Sequence, residues 1–181
     1  PHYRLPSFEV TYNELNLKFK GNYGIIFRAY NEGIAYRFYT TMKGPLIIKD
    51  EMVQMNFPKD YPTFMSYSTM PTGEDQYAMA FQNLYTKSSI KGVDTNNIAF
   101  LPITIDCGNE LKMTLLESDL EDYPGMFLNN STDKPMLKPV FAPCPKVKKQ
   151  GGHNNLQMLV EEREDYIAKT NGTRAFPWRV F

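Results

Sequence analysis

Residues 114–128, TLLESDLEDYPGMFL, crowd four carboxylates into six positions: Glu117, Asp119, Glu121 and Asp122. Paired acids at short range are the working groups of glycoside hydrolysis, one protonating the leaving oxygen while the other acts as base or nucleophile. The same stretch also reads as a capped turn. Ser118 and Glu121 have capping-box spacing, the hydroxyl accepting from one free amide and the carboxylate reaching back to another. Asp119 and Asp122 then fall beside a helix N-terminus, whose dipole favours negative charge, and Pro124 with Gly125 ends the turn within about one revolution. On these residues alone the capped turn leaving a strand is preferred to a catalytic pair.

Other chemistry is scarce. There are only two histidines, His2 near the terminus and His153 in a Gly-Gly-His-Asn loop, so a histidine triad or three-histidine zinc site has little to build on. No GxGxxG or GxxxxGK run is present to cradle a nucleotide. Cys107 and Cys144 lack CxxC spacing; two buried free thiols are expected, with one disulfide as the alternative. Trp178, beside Phe176 and Pro177, reads as packing rather than a sugar-stacking platform. Arg28 and Arg37 read as a ladder on the wet face of a sheet.

Twenty basic and twenty acidic residues cancel, which leaves no basic footprint for nucleic acid. The cluster Lys146, Lys148 and Lys149 lies among Pro, Gly and Asn and reads as a solvated loop. No apolar run approaches the ~18 residues of a membrane helix, and PHYRLPSFEV is not a signal peptide. A chain of 181 residues, 42% hydrophobic and 14% aromatic, suits one domain able to bury about 70% of its extended surface.

The elements that must position these groups are strands. From Leu15 to Lys20 apolar and polar residues alternate strictly, as in a strand with one wet face. IIFRAYNEGIAYRFY follows as two aromatic and branched runs joined at Asn31-Glu32-Gly33, a hairpin in which Gly33 is expected to take a positive φ. PLIIKDEMVQMNF, NIAFLPITID, LKMTLLES, LKPVFAP and LQMLVEE continue the series, while residues 77–89 keep no steady period and read as irregular. The expectation is a single all-β domain over residues 1–181, a large antiparallel β-sandwich. TRAFPWRVF reaches Phe181 in mid-run and the chain begins without Met, so the sandwich is expected to be partial, with an exposed edge prone to pair with another chain.

Four stretches in order, HYRLPSFEVTYNELNLKF in part, FRAYNEGIAYRF, LLESDLEDYPGMFL and EREDYIAKTNGTRAFPWRVF, resemble the amino-terminal domain of glycoside hydrolase family 97, bacterial α-glucosidases and α-galactosidases known from Bacteroides-type organisms. The resemblance implies a galactose-mutarotase-like supersandwich that precedes a catalytic (β/α)8 barrel absent from this chain. It implies a non-catalytic role for the chain, an oligosaccharide substrate for the parent enzyme, and a periplasmic or secreted location. It also implies a calcium ion: the family has a ligating glutamate followed three and four positions later by Tyr and Thr, and the matching position here is Gln82, ahead of Tyr85 and Thr86. Gln removes a negative charge from such a site, and Glu74 or Asp75 could substitute. By this resemblance Glu117 and Asp119 are candidates for contact with substrate or barrel, without a catalytic role. A free-standing carbohydrate-binding sandwich is the alternative reading. The resemblance implies a bacterial source, in which the sequons at Asn129, Asn130 and Asn171 carry little weight.

Overall fold

A computed structural model describes residues 9–68, 75–78 and 82–181. The described residues form fourteen strands and one short 3-10 turn, so the chain is nearly all β. The strands are β1 (Asn13–Phe19), β2 (Tyr23–Ala29), β3 (Ile34–Ile48), β4 (Met55–Asn56), β5 (Pro62–Ser68), β6 (Thr86–Ser89), β7 (Ile98–Gly108), β8 (Leu111–Ser118), β9 (Met126–Asn129), β10 (Met136–Phe141), β11 (Pro145–Gly151), β12 (Gln157–Arg163), β13 (Ala168–Ala175) and β14 (Trp178–Val180). Twelve of them belong to one curled sheet with the path β1-β2-β3-β14-β8-β7-β9-β10-β4; β13 joins β3, and β5 links β6 to β7. Hairpin β11–β12 stands apart.

The alternation at Leu15–Lys20 becomes β1, and its register on β2 sets Leu15, Leu17 and Phe19 opposite Phe27, Ile25 and Tyr23 on one face. Glu14, Asn16 and Lys18 take the other face. There the Tyr39 ring crosses β2 and its hydroxyl donates to Asn16 Oδ1 at 2.8 Å. Gly24 makes that crossing possible, because a Cβ at this position would lie 2.6 Å from the Tyr39 ring.

The β2–β3 hairpin forms as expected, closed by the Tyr30 amide on the Gly33 carbonyl at 2.8 Å. The reason for Gly33 differs from the expectation. Gly33 is not among the positive-φ residues; instead the Phe181 carbonyl oxygen would lie 2.4 Å from any Cβ there. A close approach of backbone to backbone, not a turn conformation, calls for the glycine.

The core lies between the curled halves, around Met65, Ile103, Ile105, Leu115, Leu128 and Leu137, all essentially inaccessible. Three sequence expectations change. Residues 77–89 end in β6, which pairs with β5. Lys146, Lys148 and Lys149 lie on β11 rather than a loop, and Lys146 and Lys149 pair with Glu162 and Glu161 across the hairpin at 3.0 and 3.5 Å. PLIIKDEMVQMNF is not one strand: β3 ends at Ile48, and Lys49–Gln54 leave the ladder before the two-residue β4. Cys107 and Cys144 are free thiols, half-buried and unpaired.

Candidate functional site

The strand β8 carries Glu117 to its end, and the chain then leaves the sheet for residues 119–125. When it returns as β9 it resumes the same line beside β7: Leu115 pairs with Ile103, and after the excursion Phe127 pairs with Phe100. The acidic stretch is thus an out-loop in one long strand, not a capped helical turn. No helix forms, and Asp119 and Asp122 have φ of 60° and 47°, in the left-handed region that Asp tolerates better than most residues. The Glu117 carboxylate stitches the base of the loop by accepting from the Met126 amide at 3.0 and 3.2 Å.

Three arginines hold this loop. Arg179 on β14, 1% exposed, donates through Nη1 to Glu117 at 2.8 Å and grips both oxygens of Glu51 through Nε and Nη2 at 3.0 and 2.7 Å. Arg37 donates to Asp119 at 2.7 Å and to the Phe176 carbonyl at 2.8 Å. Arg174 donates to the Glu121 carbonyl at 2.9 Å, with its guanidinium over the Phe176 and Tyr123 rings.

Glu51, Arg179 and Glu117 form a buried triad with one cation for two carboxylates. Burial pushes the Glu117 carboxyl above the ordinary carboxylate range, against the Met126 amide and Arg179, which pull it down; the neighbouring Glu51 adds to the rise. Burial, helped by Glu51, also pushes the phenols of Tyr36 and Tyr123 upward. Above the triad lies an aromatic cup of about 320 Å³, walled by Tyr23, Phe38, Tyr123 and Phe176, with Glu51 and Asp50 supplying its acidic groups.

Glu117 and Asp119 are not brought together. Glu117 points with Arg179 to the inner face, whereas Asp119 is bound by Arg37 on the outer face. Two carboxylates on opposite faces cannot flank one glycosidic bond. On that outer face the guanidiniums of Arg28 and Arg37 lie 4.6 and 4.8 Å from the Trp178 ring, and Arg28 also covers Tyr12. Trp178 is packed under two cations instead of standing open to a sugar ring.

Gln82 is exposed and precedes β6, where Ser66 Oγ donates to the Asn83 carbonyl at 2.9 Å and the Tyr85 hydroxyl donates to the Pro102 carbonyl at 3.0 Å. It lies at the same end of the sheet as Asp119, which follows β8, but β5 and β7 stand between β6 and β8. Three strand spacings amount to about 14 Å, too far for both residues to ligate one ion. Asp75 is engaged by Arg163, and Glu74, like His2, lies outside the described residues. Calcium takes 6–8 oxygens, and no group of three or more His, Cys, Asp or Glu is gathered among the described residues. The described residues therefore do not fit a calcium site by themselves.

Glu51 and Arg179 escaped sequence reasoning. Their separation of 128 residues hides the pairing, and the one available signal was Arg179, a lone charge inside the otherwise apolar run PWRVF.

In this curled antiparallel sheet Glu51, Glu117 and Asp119 are each held by an arginine. The chain belongs to the glycosyl-hydrolase 97 N-terminal family, which it matches over residues 4–181. It is 42% identical, over 185 residues, to a retaining alpha-galactosidase of Bacteroides thetaiotaomicron; the alignment covers 99% of this chain and 28% of that relative. Among solved structures, a beta-arabinopyranosidase shares the fold with a TM-score of 0.69 at 18% identity, covering 93% of this chain and 27% of the other. A glycoside hydrolase family 97 enzyme from Pseudoalteromonas sp. strain K8, solved with acarbose, has a TM-score of 0.59 at 14% identity, covering 96% and 27%. The chain thus spans less than a third of the length of each of these proteins.

Proposed function

We propose that the chain is the non-catalytic amino-terminal domain of an exo-acting α-glycosidase, with a terminal α-galactoside as the parent enzyme's substrate. In this role it braces the catalytic barrel and forms part of the active-site rim. The observation that carries the reading is the family match over residues 4–181, joined to 42% identity with a retaining alpha-galactosidase. The site agrees with it: Glu117 and Asp119 are each held by their own arginine on opposite faces, which suits a frame and not a hydrolytic pair. The reading includes a periplasmic or secreted location for the parent enzyme. Calcium belongs to this reading only as a shared site, in which Gln82 gives one neutral oxygen and other parts of the enzyme give the rest.

The test is turnover of p-nitrophenyl α-galactoside. The purified chain is expected to be inactive, and the parent enzyme active. Hydrolysis by the chain alone overturns the reading. Calorimetric titration with galacto-oligosaccharides separates the alternative of a sugar-binding module, because binding by the isolated chain belongs to that alternative. Calcium titration is expected to leave the chain's melting temperature unchanged, for the native protein and for Gln82→Glu alike; a calcium-dependent rise in the native chain reveals further ligands.

A further inference from the structure

The aromatic cup above the triad lies within the sheet and not at an open edge. It sits over β3, which pairs with β2 on one side and with β13 and β14 on the other. Tyr23 stands opposite Thr40 in that register, and Phe38 is two residues from Thr40, so both rings rise from the inner face. Tyr123 and Phe176 meet edge to face at 5.4 Å and form a second wall. Met52, 91% exposed, lines the cup as well. Its volume of about 320 Å³ is at the small end of ligand cavities.

Charge and hydrogen-bonding capacity narrow what fits there. Glu51 and Glu117 share the single cation of Arg179, which leaves one uncompensated negative charge beneath apolar walls, where a charge is felt strongly. Asp50 adds another carboxylate to the lining. Arg174 lies over the Phe176 and Tyr123 rings, but it gives its donors to Thr170 and to the Glu121 and Ala175 carbonyls and does not line the cup. The faces of the rings are themselves negative and attract cations. Free acceptors, by contrast, are few. Both Glu51 oxygens accept from Arg179, and Asp50 Oδ1 accepts from the Glu51 amide at 2.8 Å. The second Asp50 oxygen has no partner among the described residues. A sugar, with hydroxyls on every side, or a primary ammonium, with three N–H donors, leaves donors unpaired in such a place. Calcium has to exchange oxygen ligands for rings. An ammonium whose hydrogens are all replaced by alkyl groups donates nothing and presents an apolar surface around its charge.

We propose that the cup binds a small quaternary ammonium, with its methyl groups against Tyr23, Phe38 and Phe176 and its charge facing the rings and the carboxylates of Glu51 and Asp50. The inference rests on the cup alone and stands independently of the sugar and calcium readings.

The experiment titrates choline into the chain at constant ionic strength and follows the aromatic side-chain signals by NMR. Two comparisons are run beside it: ethanolamine, which keeps the charge but carries N–H donors, and the uncharged alcohol in which carbon replaces the choline nitrogen. The expected result is saturable shifts at Tyr23, Phe38 and Phe176 with choline, and at least about tenfold weaker binding of both comparison compounds. Tyr23→Leu and Asp50→Asn replace exposed side chains, and each is expected to weaken choline binding at least about threefold, with folding checked by thermal melting. Absence of saturable shifts with choline overturns the proposal. Equal or tighter binding of the uncharged alcohol overturns it, because the cup is then only an apolar pocket, and equal or tighter binding of ethanolamine overturns the preference for a quaternary centre. Unchanged choline affinity in both folded variants overturns it too, because the ligand then sits elsewhere.

Discussion

Replacing Arg179 by Met removes the one cation that two buried carboxylates share. The side chains of Glu51 and Glu117 are 6% and 16% exposed in these pairs, so neither gains much water in exchange. Removing one partner of a buried ion pair costs about 3–5 kcal/mol. With a urea slope of about 2 kcal/mol per molar, the unfolding midpoint of Arg179→Met falls by about 1.5–2.5 M at pH 7. The pH dependence has a definite sign. The folded-state pKa of Glu117 is raised above its ordinary value of 4.5, so its contribution to stability is complete below that value and is lost as pH rises through the folded pKa. Stripped of Arg179, the carboxyl rises further, and the gap between variant and native protein narrows as the solution is acidified from pH 7 to pH 5. Glu117→Gln removes the falling contribution and flattens the native profile over the same interval. A midpoint within about 0.5 M of the native protein at pH 7, or a gap that widens on acidification, refutes the account of the triad.

Trp178→Ala removes a half-buried indole and its two guanidinium contacts at the β14 join, and lowers stability by about 2–3 kcal/mol in urea unfolding. Gly33→Ala sets a methyl 2.4 Å from the Phe181 carbonyl, costs about 1–3 kcal/mol, and speeds hydrogen exchange at Ile34 and Phe181 while leaving the β1–β2 amides unchanged. Asn130, fully buried, donates to the Ile90 and Lys134 carbonyls at 2.9 and 2.8 Å and accepts from the Thr132 amide. Asn130→Ala is expected to lower the melting temperature by an amount equivalent to about 2–3 kcal/mol, because those groups lose their partner.

Legibility followed the range of the interaction. β1 and the β2–β3 hairpin were readable because alternation and a short turn are local signals, and the short branched runs that became β7, β8, β10 and β12 were readable for the same reason. The tangle around residues 117–126 was not. Glu117, Asp119, Glu121 and Asp122 look alike in sequence, yet one is bound inside, one outside, and Arg174 grips the backbone of the loop between them. What separates them is the arrival of Arg37 and Arg179 from strands 82 and 62 residues away. Gly33 was recognised as necessary for a reason that proved local only in appearance, since its constraint comes from Phe181. The family stretches were legible throughout, while Gln82, the calcium-ligand position that the resemblance implied, stands without a gathered set of acidic neighbours among the described residues.

Among the described residues, the strand ladder joins the β1-β2-β3-β13 half of the sheet to the β8-β7 half only through β14, three residues long. Residues 178–180 are synthesised after every other described strand. In the order of synthesis the ladder's seam between the two halves is therefore completed last, when Trp178–Val180 arrive and Arg179 can meet a glutamate made 128 residues earlier. Contacts of such long sequence separation are slow to form. The order of events predicts a nascent chain whose hairpins are protected early and whose two carboxylates wait, hydrated and apart, for the arginine that locks them.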